Sequence, residues 1–288
     1  MPDKSVKTIP FTKFHGFGND YIVIKNEDAA HADLGELAVA ICNRHAGAGA
    51  DGIAVIEKHD AGEADYFCEI KNPDGSTAQF SGNGTRCAAA YLHYAGLWTD
   101  KELKLETRSG VKNYKLIERK GAGEFWFEAE VGPPKFTSAE IPVATDTPRE
   151  AIIKEPILVG ECDYSFAAVN IGNPVACVFV DDFDFDWRTV GREMETHEKF
   201  PNRANIVFVK IRDRQSIEIR IWERGVGETA SSGTCTSGAA ILSMFMLKTD
   251  REVKVHTTGG VTEITWRDDD EIIIKGRADF AYEGIWRA

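Results

Sequence analysis

The amino-acid sequence predicts an α+β fold of two pseudo-symmetric lobes, each a mostly antiparallel sheet rolled around one central buried helix. The first observation is a set of segments in which every second residue is apolar, as in half-buried strands: EFWFEAEV (124–131), NIVFVKI (205–211) and SIEIRIWE (216–223). The second is a pair of strongly apolar helical segments about half the chain length apart. The third is the lack of a regular strand–helix alternation, which argues against a doubly wound sheet.

Three segments have helical patterns. DLGELAVAICNRH (33–45) has apolar residues at helical spacing, with Asp33 as a candidate N-cap. RCAAAYLHYAGL (86–97) and TSGAAILSMFMLK (236–248) are apolar nearly all round, which is typical of buried helices. RDDDEIIIKG (267–276) is predicted to be a charged turn followed by a buried strand.

The predicted lobes are residues 1–130 with 278–288, and residues 131–277, with the active site in the cleft between them. The proline-containing stretch VGPPKFTSAEIP (131–142) is a candidate linker.

Composition narrows the class of partner. The chain has 288 residues and a net charge of −12, which argues against nucleic acid as a partner because phosphates require a basic surface. Its six cysteines form no CxxC pair, so no metal site is expected.

The first ten residues have no apolar core of a secretory leader, and no apolar run is long enough to span a membrane. We therefore expect a cytoplasmic protein with free thiols.

A turn of small residues precedes each apolar helix, beginning at Ser81 and at Ser232. The start of a helix presents unpaired backbone N–H groups and a partial positive charge, and glycines allow a ligand to approach them. The two turns could therefore hold a carboxylate, although serine and glycine are also ordinary cap and turn residues. A thiol at such a position has a lowered pKa, and two thiols flanking a carbon acid would racemise it without a cofactor.

Seven segments, in order, resemble the diaminopimelate epimerase family over nearly the whole chain: KFHGFGNDYIVI (13–24), RHAGAGADGI (44–53), NPDGSTAQFSGNGTRC (72–87), VNIGNPVACVFVDD (169–182), HEKFPNRANIVFV (197–209), ERGVGETASSGT (223–234) and GRADFAYEGIW (276–286). The resemblance implies an isomerase independent of pyridoxal phosphate, with no cofactor, that converts LL- to meso-diaminopimelate in lysine biosynthesis. It also implies a homodimer that uses Tyr282.

The resemblance further implies a set of residues that bind a small zwitterionic amino acid. Its members supply amide, guanidinium, carboxylate and backbone N–H groups to the two ends of the substrate. They are Asn19, Asn72, Gly82, Asn83, Asn173, Asn205, Glu223, Arg224, Gly233 and Thr234.

Three positions depart from the family pattern. Ser81 and Ser232 stand where the family has its two catalytic cysteines, and Val175 stands where it tends to have histidine. A serine hydroxyl is a weaker acid than a thiol by several pKa units, each equivalent to about 1.4 kcal/mol, so two-base epimerisation is expected to be slow or absent. Cys235 lies close enough in sequence to reach the site, whereas Cys87 is expected to serve in packing.

Four interpretations remain open from the sequence. The chain is an impaired diaminopimelate epimerase, an amino-acid-binding pseudoenzyme of the same fold, a divergent isomerase or dehydratase acting on another small acid, or an epimerase whose cysteines were replaced by design.

Overall fold

The computed structural model describes residues 7–59 and 62–287, and the chain divides into two compact units. Unit 1 is Met1–Ala129 with Gly276–Ala288, and unit 2 is Glu130–Lys275. Within residues 7–59 and 62–287, every helix is too short or too polar to span a bilayer.

Unit 1 is built mainly of antiparallel strands around one long helix. Antiparallel pairs join β1 to β2, β3 to β4, β6 to β7 and β7 to β8, whereas β2–β3 and β4–β6 are parallel. The elements are β1 (Thr8–Gly16), β2 (Asn19–Lys25), α1 (Asn26–Ala29), α2 (Leu34–Cys42), β3 (Gly52–Lys58), β4 (Tyr66–Lys71), β5 (Thr77–Ala78), α3 (Gly82–Tyr94), β6 (Glu102–Thr107), β7 (Gly110–Lys120) and β8 (Glu124–Glu130).

Unit 2 has the same kind of construction. Its antiparallel pairs include β9–β10, β10–β11, β12–β13 and β15–β16, and its parallel pairs are β11–β12 and β13–β15. The elements are β9 (Ile152–Val159), β10 (Cys162–Asn170), β11 (Pro174–Phe179), α4 (Trp187–Glu195), β12 (Asn205–Asp213), β13 (Ser216–Glu223), β14 (Gly227–Thr229), α5 (Gly233–Phe245), β15 (Glu252–His256), β16 (Val261–Trp266) and β17 (Ile272–Arg287), the last of which runs on into unit 1.

The order of pairings in unit 1 is repeated in unit 2. In each unit a strand pairs in parallel with the next, and the long helix follows a short two- or three-residue strand. The parallel ladders begin at equivalent residues, Tyr21 opposite Gly52 and Val175 opposite Asn205. The predicted α+β class, with two similar halves and one central helix in each, is therefore confirmed.

The two central helices are buried, as their composition predicts. In α3 the alanines 88–90 and Leu92 have no exposed surface, and in α5 the same is true of residues 239–242. Both helices start earlier than the sequence pattern indicates, at Gly82 and Gly233. Glycine lowers helix propensity, so the pattern places the starts too late.

The shorter helix α2 has the N-cap that the sequence predicts. The Asp33 carboxylate accepts hydrogen bonds from the backbone N–H groups of Gly35 and Glu36. The helix ends at Cys42, before the predicted end at His45, because Asn43 is extended and its side chain accepts from the N–H of His45.

The candidate linker, residues 131–142, belongs to unit 2. Ile141 is almost fully buried and packs in the same apolar cluster as Ile152, Phe166 and Trp187. Its apolar side chains thus keep the segment on the unit, since burial of such a side chain stabilises by about 1.5–3 kcal/mol.

A close approach of α5 to β11 makes Gly238 a testable packing position. A Cβ added at Gly238 would lie 2.9 Å from Cβ of Val175. We expect Gly238→Ala to lower the free energy of unfolding by about 1–3 kcal/mol through overpacking. Urea denaturation of Gly238→Ala, Val175→Ala and the double variant measures this. The double variant should lose less free energy of unfolding than the sum of the losses in the two single variants. Strictly additive losses would contradict the contact.

Candidate functional site

The start of α3 combines a serine cap with free helix donors. Ser81 is extended, and its Oγ accepts a hydrogen bond from the N–H of Gly84 at 3.1 Å. The same Oγ lies 2.8 Å from the phenolic oxygen of Tyr21. The N–H groups of Gly82 and Asn83, in the first turn, have no acceptor within the helix. This end of α3 can therefore bind an anion beside a hydroxyl group.

The side chain of Asn83 is occupied within unit 1. Its Nδ2 donates to Oδ1 of Asn19 at 3.1 Å, and its Oδ1 accepts from Arg86 at 2.9 Å. Asn19 in turn donates to the Asp51 carboxylate at 2.7 Å. Because both ends of the Asn83 amide are used, the group that it offers a ligand is its backbone N–H. Its predicted place among the helix-end donors is compatible with this geometry.

A partly buried cluster of charges lies at the start of β2, which bears Asn19. The Asp20 carboxylate is 2.7 Å from both Lys13 and Arg44, and Arg44 also binds Asp51. Burial alone would raise the pKa of Asp20, but the hydrogen bonds from Arg44 and Lys13 outweigh it and lower the pKa to about 2. The ionised carboxylate therefore fixes the β1–β2 turn.

Asn72 lies in the turn between β4 and β5. Its backbone N–H donates to the carbonyl of Ser76 at 2.8 Å, and its Nδ2 donates to the Ser76 hydroxyl at 2.9 Å. The turn is closed by the N–H of Gly75, which donates to the carbonyl of Asn72. The amide of Asn72 is thus held at the end of β4, on the segment that leads to α3.

The start of α5 differs from that of α3. Ser232 is buried, but its side chain makes no cap hydrogen bond, and its Oγ is 3.5 Å from Oγ1 of Thr234. The first-turn N–H groups of Gly233 and Thr234 again have no acceptor within the helix. Both helix starts therefore offer backbone donors, but the two serines have different surroundings.

Three of the predicted binding residues of unit 2 are joined by hydrogen bonds. Oδ1 of Asn205 accepts from the backbone N–H of Arg224 at 3.0 Å, and Nη2 of Arg224 is 3.3 Å from Oδ1 of Asn173. The carboxylate of Glu223 accepts from the hydroxyl of Thr229 at 2.8 Å. The structure thus brings Asn173, Asn205 and Arg224 together, with a guanidinium suited to a ligand carboxylate.

Glu195 supports this group and is absent from the sequence-based set. One of its carboxylate oxygens accepts from the N–H of Gly225 at 2.8 Å, and the other accepts from the indole N–H of Trp222 at 2.9 Å. These two residues flank the pair Glu223–Arg224. Glu195 ends α4, far away in sequence, so no local pattern indicates its role.

Two further residues of unit 1 escape sequence reasoning. Arg86 is buried and donates to Asn83, and its guanidinium fills the space in which a Cβ on Gly276 would lie. Desolvation lowers its pKa. Tyr21 is the other, because its sequence context indicates a strand and gives no sign of the contact with Ser81.

The buried thiols do not replace the missing cysteines as bases. Burial raises the pKa of Cys87 and of Cys235, and it raises the pKa of Cys68 to about 12. A raised pKa keeps a thiol protonated and unreactive near neutral pH. In residues 7–59 and 62–287 no group of three His, Cys, Asp or Glu side chains is placed to hold a metal ion. The chemistry that remains at the helix starts is anion binding by N–H groups beside hydroxyls.

Comparison with protein families gives a match along most of the chain. The model of a family described as diaminopimelate epimerase matches residues 11–137 and 167–281. The diaminopimelate epimerase of Caldanaerobacter subterraneus subsp. tengcongensis is 36% identical over 275 residues, which cover 95% of this chain and 98% of that protein. That of Bacillus cereus (strain ATCC 10987 / NRS 248) is 35% identical over 283 residues, 96% of each chain.

Solved structures share the fold at low sequence identity. A phenazine biosynthesis protein from Bacillus anthracis matches with a TM-score of 0.68 at 17% identity, covering 98% of this chain and 100% of that chain. A hydroxyproline epimerase from Agrobacterium vitis matches with a TM-score of 0.64 at 14% identity, covering 97% and 91%. At these identities the likeness establishes the fold alone.

The charge cluster at Asp20 predicts a particular loss of stability in acid. Its folded-state pKa lies below the ordinary value, so the ionised group stabilises the fold above about pH 4, and this contribution is lost as the pH falls towards about 2. Urea denaturation should show Asp20→Asn less stable than the original protein at pH 7. The difference should shrink by about 2 kcal/mol between about pH 4 and pH 2. A difference that stays constant over this range would contradict the assignment.

Proposed function

We propose that this chain, which belongs to the diaminopimelate epimerase family, is a cofactor-independent isomerase that inverts the α-carbon of diaminopimelate. The observation that carries the proposal is the pair of buried helices whose starts, at Gly82 and Gly233, offer first-turn N–H groups beside a serine hydroxyl. Relatives that bear the name diaminopimelate epimerase support the choice of substrate.

In this proposal the helix starts bind the carboxylate at the reacting carbon. Removal of the α-proton moves negative charge onto that carboxylate, and N–H groups fixed in position stabilise the charge as it develops. The donors are those of Gly82, Asn83, Gly233 and Thr234.

The other end of the substrate is a second amino acid group, and we assign it to the polar cluster of unit 2. The guanidinium of Arg224 binds its carboxylate, and Glu223 accepts from its ammonium. Asn173 and Asn205 orient Arg224 through the contacts described, and Asn19 and Asn72 add amide groups from unit 1.

Ser81 and Ser232 take the two proton-transfer positions, one for each face of the carbon. A hydroxyl is a much weaker acid than a thiol, so each transfer is slower than it would be with cysteine. We therefore propose an enzyme whose substrate site is complete and whose turnover is limited by these two residues. The second candidate is a binding protein without turnover, which is favoured because serine and not cysteine stands at both positions 81 and 232.

Deuterium incorporation separates the two candidates. The purified protein is incubated with LL-diaminopimelate in D₂O, and deuterium at Cα and formation of the meso isomer are followed by mass spectrometry and chiral chromatography. We expect slow but enzyme-dependent incorporation. Binding without incorporation, measured by calorimetry, would instead establish the binding protein, and the lack of both would contradict the proposed function.

Restoring the thiols tests whether the rest of the site is competent. We expect the variant with Ser81→Cys and Ser232→Cys to epimerise at least about 10²-fold faster, which is the usual contribution of a well-matched acid or base. The control is Ser231→Cys, because Ser231 is adjacent to Ser232 and equally buried. An equal gain from the control, or no gain from the double variant, would contradict these assignments.

We further propose a cytoplasmic homodimer. The described cysteines are all unpaired, as expected in a reducing compartment. Tyr282 and Ile285 leave apolar surface exposed on the part of β17 that belongs to unit 1, and the hydroxyl of Tyr282 donates to the carbonyl of Ala48 at 2.8 Å. Such exposed apolar surface supports a contact between two copies of the chain.

The dimer is tested by sedimentation velocity. We expect the original protein to sediment as a dimer at micromolar concentration, and Tyr282→Ala to weaken association at least tenfold. The comparison variant is Leu247→Ala, which removes an exposed apolar side chain from unit 2. A monomeric original protein, or equal weakening by the two variants, would contradict the assignment of this surface.

A further inference from the structure

The hydroxyl of Tyr21 is held against Ser81 by the packing of its ring. The two oxygens are 2.8 Å apart, while Ser81 also accepts from the N–H of Gly84. A Cβ added at Gly52 would lie 2.8 Å from ring carbon Cε1 of Tyr21, and one added at Gly84 would lie 2.9 Å from the same atom. The two glycines therefore leave a slot that fixes the ring and directs its hydroxyl to the start of α3.

The equivalent position in unit 2 has no such group. The segments Gly18–Tyr21 and Gly172–Val175 occupy the same place at the start of each parallel ladder. Val175 is fully buried and packs against Gly238, and it has no proton to transfer. The two halves thus share a backbone arrangement, but the hydroxyl pair is found in unit 1.

We infer that Tyr21 is a positioning residue that relays protons through Ser81, in place of the thiol that unit 1 lacks; this inference rests on the proposed function. A phenol is a stronger acid than an aliphatic hydroxyl by several pKa units, so Tyr21 rather than Ser81 supplies the anion of the pair. Proton exchange at the face of Cα that Ser81 serves then proceeds without a cysteine.

The relay balances in both directions. The Cα–H bond breaks, its electron pair stays on the substrate, and the proton passes to Oγ of Ser81 as the proton of Ser81 passes to the phenolate of Tyr21. In the reverse step the phenol returns a proton to Ser81, which delivers its own proton to Cα, and the phenolate is restored. In D₂O the phenol exchanges with solvent between the two steps. The predicted product is deuterated substrate of unchanged configuration, formed faster than the epimer.

Few charged groups share the surroundings of the Tyr21 ring. Side chains alternate along a strand, so Asp20 on β2 and its partner His15 on β1 point to the opposite face of the sheet from Tyr21. On β4, Ile70 points inward, and its neighbour Lys71 therefore points to the opposite face. On α3, Arg86 is the charged residue, and it donates to Asn83. Comparing variants at one fixed pD leaves the ionisation of these groups unchanged.

The experiment follows deuterium incorporation into LL-diaminopimelate by four proteins: the original protein, Tyr21→Phe, and proteins with 3-fluorotyrosine or 3,5-difluorotyrosine at position 21. We expect Tyr21→Phe, which keeps the ring in its slot, to lower the exchange rate at least about 10²-fold while the KM for substrate changes little. Each fluorine makes the phenol more acidic, so the exchange rate at neutral pD should rise with fluorination. A purely structural hydroxyl would not produce this series.

Tyr114→Phe is the matched control. Tyr114 is buried in the same unit, and its hydroxyl contacts the hydroxyl of Thr85 on α3, which donates to the backbone carbonyl of Ser81 and not to its Oγ. We expect the control to exchange at the original rate.

The outcomes separate the relay from the proposed function. Exchange that is unchanged in Tyr21→Phe, or lost there but insensitive to fluorination, would overturn the relay and leave the proposed function standing. No exchange by the original protein at any pD, with either the LL or the meso isomer, would overturn the proposed function and the relay with it.

Discussion

The unpaired N–H groups at the starts of two buried helices are the constraint on which the rest of this structure depends. A buried helix cannot leave its first-turn donors to bulk water, so cap side chains or a ligand must satisfy them. At α3 the serine side chain satisfies the N–H of Gly84, and at α5 the side chain of Ser232 makes no such bond. The glycines in both turns leave the remaining donors accessible to a carboxylate, and the positive end of the helix dipole attracts its negative charge.

The two halves share a chain path but have diverged in chemistry. Equivalent ladders begin at Tyr21 and Val175, one with a phenol and the other with an alkyl group. Unit 1 is stabilised around Asp20 by Lys13 and Arg44, whereas in unit 2 the carboxylate of Glu195 holds the turn that carries Arg224. The helix-start arrangement is therefore repeated in the two units with different side chains around it.

Local patterns in the sequence predict the elements well where the physics is local. The alternation in SIEIRIWE corresponds to β13, and the cap at Asp33 is the observed one, because side-chain periodicity and capping act over a few residues. The sequence pattern places both helix starts too late, since capped glycines depend on tertiary packing, and it gives no sign that Ile141 is buried. The family resemblance predicts Asn83 and Arg224 as binding residues. The contacts of Tyr21 and Glu195 join residues far apart in sequence, so no local pattern indicates them.

A structure determined with diaminopimelate bound tests the central claim most directly. The account predicts that the carboxylate on the reacting carbon accepts hydrogen bonds, at about 2.7–3.2 Å, from first-turn N–H groups of α3 and α5. It also predicts that the Ser81 and Ser232 hydroxyls face that carbon. A ligand whose carboxylates both lie away from these helix starts would contradict the account.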